Sequence, residues 1–316
     1  MEIIFRQRNP YFIQGPAQIG FSGGRSSAYM LYHILDAHNG ELPDNVYVTF
    51  QNTGKEREET LVFIHEIENR WGLKIHWLEY NREWQSPDAG RHEIEKIISD
   101  LLPITEYEID IQAMHFKEIS FETASRNGEP FKAMLDYYKD YRREIKGEPA
   151  ILPNPTNRMC TDRLKIKIAA QFMRQFYSNW DAIIGIRYDE PRRYHRMMSA
   201  NEKKLNRWQT SCPMYESRVI KEQVNEFWSK QSFDLGMHSD FGNCDLCFLK
   251  HESKIMRALT ENPTAADWWV EQEFHTGQVF RRDRPNYRQL KWYAEQMGSQ
   301  ESFEFGEDLA DCMCGD

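Results

Sequence analysis

The chain has 316 residues, 40% of them hydrophobic and 13% aromatic, which is enough for a packed core and argues against global disorder. A formal net charge of −9 speaks against a protein that coats nucleic acid or anionic membrane nonspecifically. No apolar run reaches the roughly 18 residues of a membrane span, and the first residues lack the pattern of a secretory signal, so a cytoplasmic location is expected.

Taken in chain order, residues 17–21 form a short strand that runs straight into a glycine turn. Ser26 to Ala37 has apolar residues at helical spacing, with serine at its start to cap free N–H groups. Val46 to Phe50 reads as a second strand, Glu56 to Trp71 as an amphipathic helix, and Lys74 to Leu78 as a third strand. Strand–helix–strand at such intervals predicts a parallel sheet with right-handed crossovers. Helices are expected at His92 to Leu101 and Pro130 to Lys146, with an Asn127-Gly128 turn between them. Thr161 to Tyr177 reads as a helix and Ala182 to Ile186 as a buried strand closed by Pro191. The expected division is a nucleotide-binding α/β domain over 1–210 and a helical, cysteine-containing region over 211–316.

The turn itself, Ser22-Gly23-Gly24-Arg25-Ser26-Ser27, has the chemistry of an anion site. Its glycines allow a tight turn and close approach of the backbone to a ligand. The helix that follows directs its free N–H groups and positive dipole end at that ligand. Serine hydroxyls add donors and Arg25 adds charge. An ordinary capped turn is the alternative. Between Arg187 and Arg207 seven basic residues face three acidic ones, which suits a polyanionic ligand or a solvated helix face.

Five segments together resemble one family. Ser22 to Ser27 resembles the PP-loop (SGGxxS) of the adenine nucleotide alpha-hydrolase superfamily. Asn52-Thr53-Gly54 through Thr60 is similar to the DTGxxFPET segment of its PAPS reductase branch, with Asn for Asp and without Phe-Pro. Met159-Cys160 to Lys165 resembles CCxxLK, Gly185 to Glu190 resembles GIRxDE, and Gly242 to Cys247 resembles GCxxC. The likeness is to PAPS-reductase-like proteins of phages and bacteria. It implies a doubly wound, Rossmann-like parallel sheet that binds ATP or another adenine nucleotide at the C-terminal ends of its strands. The nucleotide-binding residues would be Ser22, Gly23, Gly24, Arg25, Ser26, Ser27, Phe50, Asn52, Thr53, Gly54 and Arg193. Arg25, Arg187 and Asp189 would be catalytic, Asp189 by orienting an arginine or holding Mg²⁺; helix N-terminal acid placement is the alternative for Asp189 and Glu190.

Cysteines fill a second role. Cys244 and Cys247 form a CxxC pair, and soft thiolates in number favour an iron–sulfur cluster or zinc. The resemblance implies a [4Fe–4S] cluster held by Cys160, Cys244 and Cys247. Met159 stands where a further cysteine would be, so either Cys212 completes the set or one iron stays open. Zinc with His238 or His251 and unliganded buried thiols are the alternatives. Cys312 and Cys314 could serve redox chemistry or metal ligation, or have no role.

The function expected is a PP-loop enzyme that converts ATP to AMP and pyrophosphate for sulfur transfer to, or activation of, a nucleic acid or small molecule. Its partners are an adenine nucleotide and a sulfur donor or nucleic acid, with no membrane; a homodimer is one arrangement open to it. Alternatives are a genuine APS or PAPS reductase that releases sulfite, and a noncatalytic subunit that binds nucleotide or cluster. Thr123 to Glu129 could form a substrate-facing loop or a plain turn, and Trp268 and Trp269 could stack on bases or belong to the core.

Overall fold

The computed structural model describes residues 9–82, 115–238, 241–242 and 244–297. The helix expected at His92 to Leu101, Asn243 of the cysteine motif, and Cys312 with Cys314 lie outside these residues.

Six strands form one sheet: β1 (Ala17–Gly20), β2 (Val46–Asn52), β3 (Ile75–Tyr80), β4 (Phe116–Ile119), β5 (Asp181–Ile184) and β6 (Gln209–Ser211). Their spatial order is β4-β3-β2-β1-β5-β6, and every pairing is parallel except β3 with β4. The expected α/β class, a mostly parallel Rossmann-like sheet followed by a helical C-terminal region, is what the chain adopts. Ile19 of β1 pairs with Val48 on one side and Ile183 on the other and is wholly buried, as a central parallel strand covered on both faces must be.

Helices α1 (Arg25–Ala37) and α2 (Glu58–Trp71) carry the crossovers from β1 to β2 and from β2 to β3. Right-handed connections running in one direction place both on the same face of the sheet. The apolar stripe of α2, made of Leu61, Phe63, Ile64 and Ile67, is buried, and Gly72 ends the helix in the left-handed conformation at φ 62°. Each such side chain contributes about 1.5–3 kcal/mol by leaving water. Helices α3 (Glu129–Tyr141) and α4 (Lys167–Arg174) precede β5. The route from β4 back to β5 reverses direction, so α4 covers the opposite face, burying Ile168, Ala170, Phe172 and Met173.

The helix expected over Thr161 to Tyr177 is interrupted. A short turn at Met159–Thr161 runs into a π-helical stretch, Asp162–Ile166, before α4 begins. Residues Arg142–Lys146 after α3 are also π-helical, which shortens the helix expected to reach Lys146. Pro191 does not simply close a strand: it occupies the first turn of α5 (Pro191–Glu202), where its missing N–H costs no hydrogen bond.

Beyond β6 the chain is helical, with α6 (Lys221–Ser229), α7 (Glu252–Glu261), α8 (Asp267–Thr276) and α9 (Tyr287–Met297). One continuous apolar cluster runs from the sheet into this region through Phe248, Trp269, Phe280 and Tyr287. Trp269 is fully buried, against Phe280 and Tyr287, which makes it a core residue.

Candidate functional site

The strand order reverses between β1 and β5: β2 and β3 continue to one side of β1, while β5 and β6 continue to the other. Ligands of open α/β sheets bind outside the carboxyl ends of the strands at such a point. The loop after β1 is the Ser22 to Gly24 turn, and the loop after β5 carries Arg187. The predicted phosphate loop and the predicted arginine are therefore placed side by side by the topology.

Gly23 has φ +77°, and a Cβ there would meet Thr60 Cγ2 at 2.6 Å and Ile64 Cδ1 at 2.8 Å. The loop thus lies directly on α2, and only glycine fits. The Ser27 hydroxyl donates to Gly24 O at 3.0 Å and lies 3.0 Å from Ser22 Oγ, closing the turn on itself. Ser26, almost fully buried, accepts from Arg187 Nη1 at 2.9 Å. Gly185 lets β5 approach: a Cβ there would lie 3.3 Å from Ser27 Cα.

Arg187 is 6% exposed. Besides Ser26 it donates through Nε to Asp189 Oδ1 at 3.0 Å, and its main-chain N–H donates to Glu190 Oε2 at 3.0 Å. Glu190 also pairs with Arg193. Asp189, Glu190 and Arg193 are thus one network around Arg187. One carboxylate oxygen of Asp189 is committed to that arginine. Arg25 goes elsewhere. Its guanidinium forms a two-pronged pair with Asp234, at 2.7 Å and 2.5 Å, while its carbonyl accepts from Trp228 Nε1 at 2.9 Å. Arg25 holds the helical region against the loop in this state.

At the end of β2 the side chain of Phe50 is buried edge-on to Trp77, so only its main chain can face a ligand. Asn52 is buried and donates through Nδ2 to Glu79 Oε1 at 2.7 Å and to Ser125 O at 2.9 Å, while its Oδ1 accepts from Gly54 N at 3.0 Å. Glu79, with no exposed surface, also accepts from Ser125 N and Oγ. The Thr123 to Glu129 segment is pinned to β2 and β3 by these bonds and by Gly128 N to Gly54 O at 2.8 Å.

The cysteines divide into two places. Cys244 lies beside the β2 end, with Sγ 3.4 Å from Thr53 Oγ1 and 4.0 Å from Glu56 Oε1. Glu56 accepts from Thr53 N, pairs with Cys244 in a β-bridge, and has Lys165 Nζ at 3.9 Å. Burial first and the Glu56 carboxylate second push the Cys244 thiol up to about 12, with Lys165 and Thr53 opposing; Cys160 is near enough to act on it electrostatically. Cys247, also buried, acts in the same way on Tyr287. Cys212 is at the end of β6, three strand spacings or roughly 14 Å across the sheet from β2. Burial and then Glu216 push its thiol up to about 12 as well. The fold does not bring Cys212 to Cys160 and Cys244. Among the described residues no group of three or more His, Cys, Asp or Glu is arranged to hold a metal ion, so the side chains as placed do not form a cluster-binding set.

Glu56, Glu79, Lys165, Asp234 and Asp245 are site residues that sequence reasoning did not single out. Asp245 Oδ2 pairs with Lys55 Nζ at 2.9 Å and its Oδ1 accepts from Trp269 Nε1 at 2.9 Å, tying the cysteine loop to the loop after β2. Glu56, Lys165 and Asp245 had a signal, their place inside the quoted motifs; Glu79 and Asp234 had none.

No protein-family model matches the chain. It is 27% identical over 241 residues to the uncharacterized nin region protein of Escherichia phage lambda, covering 75% of this chain and 67% of that protein. It is 36% identical over 73 residues to an uncharacterized protein of Methanocaldococcus jannaschii; the match spans 23% of this chain but only 14% of the archaeal protein. A U34-tRNA thiolase from Methanococcus maripaludis, solved with its [4Fe-4S] cluster, aligns over 94% of this chain and 77% of its own at 13% identity. Its TM-score of 0.30 is too low to carry an argument about chemistry. No described helix is long and apolar enough to cross a membrane.

Proposed function

We propose that this chain is a PP-loop-type enzyme that takes an adenine nucleotide at the switch point and uses it to activate a substrate for sulfur transfer. The observation that carries the reading is the Ser26–Arg187 bond, which joins the phosphate loop to an ordered arginine across the strand reversal. Loop N–H groups at the start of α1 would hold phosphate oxygens, and Arg187 would face the charge that builds up on them. Its planar fork suits that role. A substrate oxygen attacks the α-phosphorus, the bond to the bridging oxygen breaks, and pyrophosphate leaves; Mg²⁺ brought in with the ATP would offset the charge of that leaving group. A sulfide donor then attacks the adenylated carbon: the C–S bond forms, the C–O bond breaks and AMP leaves, so the sulfur stays on the substrate as a thiol.

Catalysis by positioning and charge needs the network held still, and Asp189 and Glu190 do that for Arg187. The thiols Cys160 and Cys244 lie at the end of the strand next to the loop, where sulfur chemistry would be wanted.

Pyrophosphate release from ATP and Mg²⁺, with single-stranded nucleic acid and small acceptors supplied in turn, tests the reading. Tight ATP binding with no release under any condition overturns it in favour of a binding module. Iron and acid-labile sulfide on anaerobically purified protein test the cluster separately: about four of each per chain supports it, and iron-free protein removes it.

A further inference from the structure

Helix α5 is unlike the other helices that follow the sheet strands, because none of its twelve residues is buried. It begins three residues beyond Tyr188, and Tyr188 directly follows Arg187 of the nucleotide site. Its surface carries Arg192, His195 and Arg196, all exposed, and the turn that follows adds exposed Lys203, Lys204 and Arg207. From Arg187 to Arg207 basic residues outnumber acidic ones by seven to three, in a chain whose net charge is −9. Glu190, one of the three acids, is already committed to Arg187 and Arg193. What α5 shows to solvent is therefore positive, against an otherwise acidic protein.

Beside this charge stands an aromatic stack built from three parts of the chain. Tyr194 of α5 lies flat on Tyr215, with ring centroids 3.7 Å apart and planes 4° from parallel. Tyr188 sits against the same Tyr215 at 5.1 Å and is 44% exposed. A tyrosine fixed from behind and open in front is a surface on which a planar base can stack at little cost in side-chain entropy.

We infer that the face from Tyr188 to Arg207 docks a single strand of nucleic acid, one base resting on Tyr188 and the phosphates running along α5. This rests on the nucleotide-site reading above and names the substrate class for it. Twelve helical residues span about 18 Å, so the strand would meet several cations along the helix. A duplex keeps its base faces stacked inside and could use only the charge, which is why a single strand is the occupant that fits both features. A base seated on Tyr188 lies one residue from Arg187, which brings an oxygen of that nucleotide toward the α-phosphate of the bound ATP.

The test is fluorescence anisotropy of the full chain with labelled oligo-dT and oligo-rU of about 20 nucleotides, a length that covers a site of ordinary size. The two strands separate DNA from RNA. Binding should weaken with salt. The triple variant Arg192→Gln, Lys203→Gln and Lys204→Gln should weaken it at least about tenfold and flatten the logarithmic salt slope by about two, as for three lost phosphate contacts. Tyr188→Ala should weaken binding at least about fivefold, while Tyr188→Phe keeps it, because the ring and not the hydroxyl stacks. ATP binding by the triple variant should be unchanged. A wild-type chain that binds neither strand at low salt, or binds duplex or heparin as well as single strand, overturns the inference. Loss of ATP binding at the Ser22 to Ser27 loop overturns the nucleotide reading instead, so the two failures are told apart.

Discussion

Arg187 Nη1 donates to Ser26 Oγ at 2.9 Å, across the point between β1 and β5 where the order of the described strands turns back. A charged hydrogen bond of this kind is worth about 1.5–3 kcal/mol, and a bound phosphate would compete for both groups. Arg187→Ala should weaken ATP binding by about tenfold or more, and Ser26→Ala by less, because the loop amides remain. Calorimetric titration of ATP into each variant checks this, with thermal melts to confirm folding. Equal affinity in wild type and Arg187→Ala would remove Arg187 from the site.

Gly23 is the tightest point of the phosphate loop. Its φ of +77° is left-handed, and α2 lies where a side chain would go. Gly23→Ala should therefore lower stability by about 1–3 kcal/mol through overpacking on Thr60 and Ile64. Urea unfolding measures it. A shift of only a few tenths would mean that α2 yields easily and that the loop is not defined by that contact.

The resembled family has Asp where this chain has Asn52, and the structure supplies a reason. Glu79 stands opposite Asn52 in the β2–β3 pairing and has no exposed surface. Asn52 gives it a donor at 2.7 Å; an Asp would place a second carboxylate there. Asn52→Asp should cost about 2 kcal/mol or more at neutral pH, from lost hydrogen bonds and like-charge contact. Combining it with Glu79→Gln should restore part of that loss. If the single variant unfolds at the wild-type urea midpoint, the Asn52–Glu79 bond is not what holds this corner.

What could be read in advance follows from how far each signal is local. The strands β1 to β3 and helices α1 and α2 alternate apolar runs with glycine turns, and their expected limits fall within about two residues of those observed. β4 and β6 escaped notice. Phe116–Ile119 is an edge strand with charges inside it, and Gln209–Ser211 has three residues, so neither has a period to detect. The Ser22 to Ser27 loop and Arg187, which the fold brings into contact, could be picked out because each sits in one short motif. Glu79 and Asp234 were not, since their roles depend on partners 46 and 209 residues away. The two orientations of the CxxC thiols, one toward Thr53 and one acting on Tyr287, are likewise set by tertiary packing.

Arg25 and Asp234 carry a pH signature. Partial burial raises the Asp234 carboxyl, but the Arg25 hydrogen bonds and the main chain at Leu235 lower it further, so it ends below its ordinary value of 3.8. A depressed carboxylate adds stability above its unfolded value and loses it as pH falls through the folded one. Asp234 is 38% exposed, so the pair is worth about 1 kcal/mol or less after solvent screening. Asp234→Asn should show a small loss of stability at neutral pH that closes once the medium is more acid than the ordinary carboxylate range. A gap that persists there would mean that packing, not charge, accounts for the loss.

Lys55 and Asp245 join the loop after β2 to the loop bearing Cys244 and Cys247. Their charged atoms are 2.9 Å apart and their side chains only 8% and 17% exposed. Breaking a buried pair by removing one charge costs about 3–5 kcal/mol, because the other is left in a poor solvent. Asp245→Asn keeps an acceptor for Trp269 Nε1 but removes the charge facing Lys55, so it should cost about 3 kcal/mol, toward the low end. Lys55→Met together with Asp245→Asn should recover much of this, giving a coupling energy of about 1 kcal/mol or more in a double-mutant cycle. The same single variant should expose Cys244 faster to a thiol reagent, since Asp245 N also donates to Lys55 O at 2.7 Å and the two loops would loosen together. Additive losses with unchanged thiol reactivity would show that the cysteine loop is held by the C-terminal helices alone, through contacts such as Tyr287 OH to Leu246 O.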